Sequence, residues 1–497
     1  MNQPLRRLAA ALFVAFALLV LDVTYLQVVA GPDYRDDNRN PRVVASRTGK
    51  ERGLILSADQ QILAQSIADP NNPQLFGRSY PQGELYAHLV GFSSLSFGDD
   101  GLELIFADDL RSKRDLTMSD LLSALLGGDL RPKSLQLTVD HGLQQIAYSA
   151  LGDQRGSVVA IRPETGEILA MVSRPSFDPN LFLGNEAIAA RESMLADPAE
   201  PLANRSTNRT YPPGSTFKVV VTAAAIESGM AGPESLFPDP AELVLPGTIE
   251  VIRNFDRQVC AGGEEVNLQT AFRRSCNTVF AALGLQLGAE TLAMQAEAFA
   301  FNQVIPFEIP VLNSVFPAPS EFSNDLPALA QSAIGQRDVR ATPLQMALVA
   351  AAIANDGIAM GPMLVSRSFD ADGRVVTQFE PALLQRAVSP STAAVISDLM
   401  ERVVASGTGT RATVPNVRVA GKTGTAETGV GPPHVWFIGF APVERPTIAV
   451  AVLVFLRHLD SEFIHIVRSD VRQGHSSRTD TEHCRHHVQH HLCQVRC

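Results

Sequence analysis

The chain has 497 residues, 45% of them hydrophobic and 19% charged, with a formal net charge of −11. At roughly 150 residues per domain, this length accommodates two or three domains with ample core, and the composition excludes wholesale disorder. No Lys/Arg tract is present, which argues against a nucleic-acid partner, and five cysteines are too few for a disulfide scaffold.

The first element is apolar. Residues 1–7 end in Arg6-Arg7, and residues 8–30 follow as an apolar run weakened only near its far end by Asp22, Thr24, Tyr25 and Gln27. As a helix this run spans roughly 34 Å, enough for a bilayer core of about 30 Å. The paired arginines place the short N-terminus in the cytoplasm and the bulk of the chain outside the cell membrane, as a single-pass protein. The alternative is a cleaved signal peptide ending at Val28-Val29-Ala30. The apolar run exceeds the usual length of such peptides, which favours an uncleaved anchor, and either reading exports the main body.

Residues 31–150 are polar and turn-rich, with charged stretches such as Arg35-Asp36-Asp37. Leu135 to Val139 alternates like a strand, and His141 to Leu151 reads as a helix. A clearer unit begins at Gly156-Ser-Val-Val-Ala-Ile161, which a Pro/Gly turn joins to a second strand from Glu167 to Val172. Apolar helices are predicted near 215–228, 268–286 and 342–356. Late strands are predicted at 418–421, 435–440 and 447–454. Strands at both ends with helices between predict an α/β layer fold whose sheet pairs the first and last segments.

Three short motifs carry chemistry. Tyr211-Pro-Pro-Gly-Ser215-Thr-Phe-Lys218 runs straight into an apolar helix. Ser215 is therefore placed at a helix start, with Lys218 one turn on and facing it. A serine hydroxyl needs a base to become a nucleophile. Lysine can serve only if burial, cationic neighbours or the positive end of a helix lower its pKa. Taken alone, the same pattern is more often an N-cap serine with a surface lysine. Ser275-Cys276-Asn277 is the second motif and Lys422-Thr423-Gly424-Thr425 the third; alone they read as a helix–loop polar cluster and a turn. A phosphate-binding loop around Lys422 is excluded, because Asn416 stands where that loop needs glycine.

Together the three motifs form the signature of penicillin-recognising serine enzymes. With Gly335-Gln336, Thr342-Pro343-Leu344 and the stretch from His434 to Pro442, the chain resembles class B penicillin-binding proteins, the actinobacterial ones above all. The resemblance runs from the anchor to about Val454. It implies an antiparallel sheet with helices on both faces and an all-helical subdomain over 151–454. A small α+β pedestal would occupy 31–150, with Arg52-Gly53 as its trace. The 120 or so residues before the catalytic unit are too few for a glycosyltransferase domain.

The resemblance also implies roles. Ser215 attacks the penultimate D-Ala carbonyl of a peptidoglycan stem peptide, and Lys218 takes its proton. Ser275 relays a proton to the leaving amine. Asn277 orients Lys218 and the substrate amide, and Lys422 supplies positive potential. Thr423, Gly424 and Thr425 form the substrate-binding strand, whose threonines hold the terminal carboxylate. The N–H groups of Ser215 and Thr425 form the oxyanion hole. The chain is thus expected to be a monofunctional DD-transpeptidase acting in cell wall synthesis and division. β-Lactams would act as its inhibitors, and cell-wall or division proteins as its partners. No cofactor, metal or nucleic acid is implied. A DD-carboxypeptidase, a β-lactamase and a catalytically weak division scaffold are the rivals.

Only five lysines occur, and after residue 133 only Lys218 and Lys422 remain. The shortage fits a GC-rich genome, but an arginine could not replace a lysine that must lose its proton. Cys260 and Cys276 lie 16 apart, and outside the membrane they pair as a disulfide or stay separate thiols. Eight of the 11 histidines lie after residue 457, in a His/Cys-rich tail over 455–497. Three readings of that tail stand. A metal site would have spacing that fits no standard finger, and a solvated extension is the second. The favoured reading is a changed reading frame near codon 455, because the resemblance stops in mid-strand where the composition switches.

Overall fold

A computed structural model describes residues 3–30, 50–111 and 131–456, apart from residues 256, 428 and 430. The tail beyond Leu456, with its histidines, and the acidic stretch at Asp36-Asp37 lie outside the described residues. Gln3–Thr24 is α-helical and continues as a π-helical turn, Tyr25–Val29. Residues Arg6–Val28 are long and apolar enough to cross a membrane, and none of that stretch is buried inside the protein.

The catalytic unit is built on a five-stranded antiparallel sheet. The predicted pairing of first and last segments holds: Gly156–Ile161 lies beside Ile448–Phe455, with Val159 opposite Ala451. Ile168–Arg174 forms one edge of the sheet. His434–Ala441 follows Ile448–Phe455 on the other side, and Ala420–Ala426 forms the second edge. Strands buried on both faces read as continuous apolar runs, as Gly156–Ile161 and Ile168–Arg174 do.

Both faces carry helices. Pro343–Ala354 packs beneath the sheet and is buried along almost its whole length. Its start is set locally: Thr342 Oγ1 accepts from Gln345 N at 3.0 Å, and proline holds the first helical position. His141–Leu151 covers part of the opposite face, capped by Asp140. The helical subdomain comprises Lys218–Glu227, Leu268–Arg274, Asn277–Ala298 and Leu326–Ser332. Pro390–Ser406 packs on the Ala420–Ala426 edge strand.

The second sheet has six strands and is assembled from distant parts of the chain. Ile55–Leu56, Ile62–Asp69, Asn72–Ser79 and Ser134–Leu137 come from the N-terminal region. Val365–Phe369 and Val375–Gln378 come from between the catalytic helices and extend the sheet, Val365–Phe369 pairing antiparallel with Ser134–Leu137 and Val375–Gln378 with Val365–Phe369. Glu308 fastens this junction, its carboxylate accepting from Leu364 N and Val365 N at 2.9 Å each. Arg52 is the centre of a buried ion network. It bonds Glu103 at 2.6 Å, and Glu103 also takes Arg78 at 2.5 Å.

The predicted helix over 268–286 is two helices. Ser275 separates them in the left-handed conformation, φ +63°. Such a backbone costs on the order of 1–2 kcal/mol for a residue with a Cβ, and the surrounding packing must impose it. Apolar periodicity cannot register a one-residue reversal, so the sequence pattern runs straight through it.

Candidate active site

Ser215 stands on a 3₁₀ turn, Gly214–Phe217, that leads into Lys218–Glu227. The predicted single helix start is thus two geometries, and the difference matters. In a 3₁₀ turn, residues three apart eclipse each other, so Ser215 and Lys218 share one side. The turn rests on Phe217, which stacks on Phe316 at 5.7 Å and meets Phe301 edge-on at 5.6 Å. It is clamped from both flanks. Gly214 N donates to Gly335 O at 2.8 Å, and Trp436 Nε1 donates to Pro212 O at 3.0 Å. A Cβ on Gly214 would lie 2.6 Å from Thr425 O, and one on Gly424 would lie 2.9 Å from Pro213 O. Glycine at both places lets the turn press against the edge strand.

The other two motifs converge on Lys218. Its Nζ donates to Ser275 O at 2.8 Å and to Asn277 Oδ1 at 2.8 Å, and lies 3.3 Å from Ser275 Oγ. Lys422 reaches the same hydroxyl from the sheet side, donating to Ser275 Oγ at 2.9 Å and to Thr423 O at 3.0 Å. Phe280 and Phe272 place their rings 5.3 Å and 5.8 Å from the two amines. Ser215 Oγ makes no hydrogen bond among the described residues. Thr423 Oγ1 lies 2.6 Å from Thr408 Oγ1, and Thr425 is exposed on the same strand.

Both lysines are fully buried. Burial pulls the Lys422 amine down to about 7. Burial and then the nearby Lys422 charge hold Lys218 well below the ordinary lysine range. A neutral Lys218 has two N–H donors and one lone pair. Ser275 O and Asn277 Oδ1 can only accept, so they take the two donors. The lone pair is then left for a hydroxyl proton, and Lys422 faces the same hydroxyl as a donor. The arrangement can accept a proton at Lys218 and hand one on through Ser275.

Cys260 and Cys276 form a disulfide, with Cα atoms 5.6 Å apart. It ties the middle residue of the second motif to a loop that Asp239 holds through the N–H groups of Cys260 (2.8 Å) and Ala261 (2.6 Å). The sequence reading did not single out Asp239, Asn254 or Thr408. Each acts across a long sequence separation, and none sits in a local pattern. Among the described residues, no group of three or more His, Cys, Asp or Glu side chains could hold a metal ion.

The "Penicillin binding protein transpeptidase domain" family matches residues 156–462, and the "Penicillin binding protein A dimerisation domain" family matches residues 52–134. The chain is 42% identical over 472 residues to the peptidoglycan D,D-transpeptidase PbpA of Mycolicibacterium smegmatis, covering 91% of this chain and 94% of that protein. The corresponding Mycobacterium tuberculosis protein is 39% identical over 473 residues, covering 91% and 94%. Penicillin-binding protein A of M. tuberculosis, solved as its ceftriaxone acyl-enzyme complex, superposes with a TM-score of 0.76 at 37% identity, covering 83% of this chain and 94% of that one. The same protein solved with penicillin G gives 0.75, also at 37% identity, covering 82% and 93%. With its longer family match spanning the whole catalytic sheet and the three converging motifs, this chain belongs to the penicillin-binding protein transpeptidase family.

Proposed function

We propose that the protein is a serine-type peptidoglycan DD-transpeptidase that works through a Ser215 acyl-enzyme. The observation that carries the residue assignment is the convergence of two buried amines, Lys218 and Lys422, on the half-buried Ser275 beside the Ser215 turn. Ser215 Oγ attacks the penultimate D-Ala carbonyl carbon of a stem peptide while Lys218 takes the hydroxyl proton. The N–H groups of Ser215 and Thr425 receive the oxyanion, which the close approach of Gly214 to Thr425 supports. The C–N bond then breaks, and the departing D-Ala amine gains the proton passed from Lys218 through Ser275. The acyl-enzyme remains. An amine of a second stem peptide, relieved of its proton by Lys218, attacks the ester and releases Ser215 with its hydrogen restored. Asn277 orients Lys218. Thr423 and Thr425 hold the terminal carboxylate on the strand that Gly424 keeps close to the nucleophile. Lys422 holds Ser275 and adds positive potential there.

β-Lactams present a strained amide to the same serine and trap it. Residues 8–30 anchor the chain with its N-terminus in the cytoplasm, residues 31–150 supply the pedestal, whose sheet is completed by Val365–Phe369 and Val375–Gln378, and residues 151–454, joined by the helix His141–Leu151, supply the catalytic unit outside the membrane. Division or cell-wall proteins are its partners there.

Labelling the full-length chain with fluorescent penicillin tests this reading. Labelling that disappears in Ser215→Ala supports it. A folded chain that takes no label is a scaffold instead. Products from stem-peptide substrates then decide between reactions: cross-linked dimers mean transpeptidation, and trimmed monomers alone mean carboxypeptidation.

A further inference from the structure

Asn277 begins the helix Asn277–Ala298, so its N–H has no partner within that helix. The residue before it would ordinarily supply a capping oxygen, but Cys276 has no such group and its sulfur is committed to Cys260. The cap comes from elsewhere. Asn254, buried after the strand Val251–Arg253, turns its side-chain oxygen onto the helix start. Asn254 Oδ1 accepts from Asn277 N at 2.8 Å, from Thr278 N at 3.3 Å and from Thr278 Oγ1 at 3.4 Å. Its own amide nitrogen donates to Gln258 O at 3.0 Å, which fixes which end of the side chain faces the helix.

The neighbouring residue sets the Asn277 side chain. Asn277 Nδ2 donates to Arg253 O at 3.0 Å. A carbonyl can only accept, so the nitrogen of this amide must face Arg253 and the oxygen must face Lys218. Residues 253 and 254 therefore hold both the backbone and the side chain of the group that Lys218 is bonded to.

We propose that Asn254 is a positioning residue of the acylation site, acting through Asn277 on Lys218. The inference rests on the reading of Lys218 as the base for Ser215. The groups facing Lys218 are Ser275, Asn277, the Phe280 ring and the charged Lys422. Losing the cap lets Asn277 drift and weakens an acceptor that favours protonated Lys218. The hydroxyl proton then has a poorly placed receiver.

The test is the rate of acylation by fluorescent penicillin across pH, on the full-length chain, for Asn254→Ala and Asn254→Asp. Rates are taken on the titratable fraction, and the melting temperature is measured beside them. Asn254→Ala is expected to lower the rate constant about tenfold, the scale of a lost cap, and to move the acid limb to lower pH. Asn254→Asp keeps an accepting oxygen and adds negative charge. It is expected to retain most of the rate and to move the acid limb to higher pH. The inference is overturned if the rate constant and limb of both variants match the unaltered chain, or if Asn254→Ala lowers only the titratable fraction. Should Asn254→Ala fail to fold, an unmoved limb in Asn254→Asp overturns it. Absence of labelling in the folded, unaltered chain overturns the functional reading and this inference together. Labelling with unmoved variants overturns this inference alone.

Discussion

Lys422 Nζ donates to Ser275 Oγ at 2.9 Å from a site with no solvent access. The cost of that burial is a measurable quantity. The Lys422 amine lies near 7 in the folded protein against 10.5 ordinarily, so between those values the unfolded chain binds more protons than the folded one. Stability therefore rises with pH across this window, and the penalty is full below about pH 7. Lys422→Met, of similar length and uncharged, should raise the melting temperature by on the order of 5 °C at pH 6. The gain should shrink towards pH 10. The same variant should acylate about 100-fold more slowly, because Ser275 loses its donor. Calorimetry and penicillin labelling across pH check both halves.

Lys218→Arg keeps a cation of similar reach but supplies a group that stays protonated. Its acylation rate is expected to fall by about 1,000-fold or more at every accessible pH. A variant that recovers rate at high pH would show that residue 218 is not the base.

Gly335 is required by geometry. It sits at φ +71°, and a Cβ there would stand 2.1 Å from Gly214 O. Gly335→Ala should displace the Ser215 turn, cost about 3 kcal/mol in stability and lower acylation about 100-fold. Denaturant unfolding and labelling rate measure the two effects. A Gly335→Ala protein with normal acylation would mean that the turn tolerates the shift.

The Cys260–Cys276 disulfide closes a loop of 16 residues by sequence separation. Loop entropy puts its contribution to stability at about 3 kcal/mol. The pair Cys260→Ser with Cys276→Ser should melt lower by roughly 5 °C or more. Its acylation should slow as well, because the loop it frees also carries the Asn254 cap. Thermal unfolding with and without reductant is the check on the unaltered chain.

Much of this protein was legible in its amino-acid order. The N-terminal helix, long and apolar enough to cross a membrane, follows from the apolar run behind Arg6-Arg7. Four of the catalytic strands follow from apolar, β-branched runs, and their bounds shift by only one or two residues, as at Ile448–Phe455, whereas the edge strand expected at 418–421 runs instead over Ala420–Ala426 and takes in the whole third motif. Ser215 and Lys218 were identifiable because turn-breaking residues precede a helix, and a 3₁₀ turn brings the two onto one side. These are local signals, and backbone preference acts over a few residues.

Other features needed the assembled chain. The reversal at Ser275 is imposed by packing against the intrinsic preference of a residue with a Cβ. The six-stranded sheet borrows Val365–Phe369 and Val375–Gln378 from the far side of the catalytic helices. Asn254 caps a helix 23 residues away. The sequence by itself determined which side chains could do the chemistry, because hydroxyl, amine and amide are fixed by residue type. Tertiary structure decided their state. The amines of Lys218 and Lys422 fall below the ordinary lysine range only because burial strips their water and, for Lys218, because the fold sets the Lys422 charge beside it.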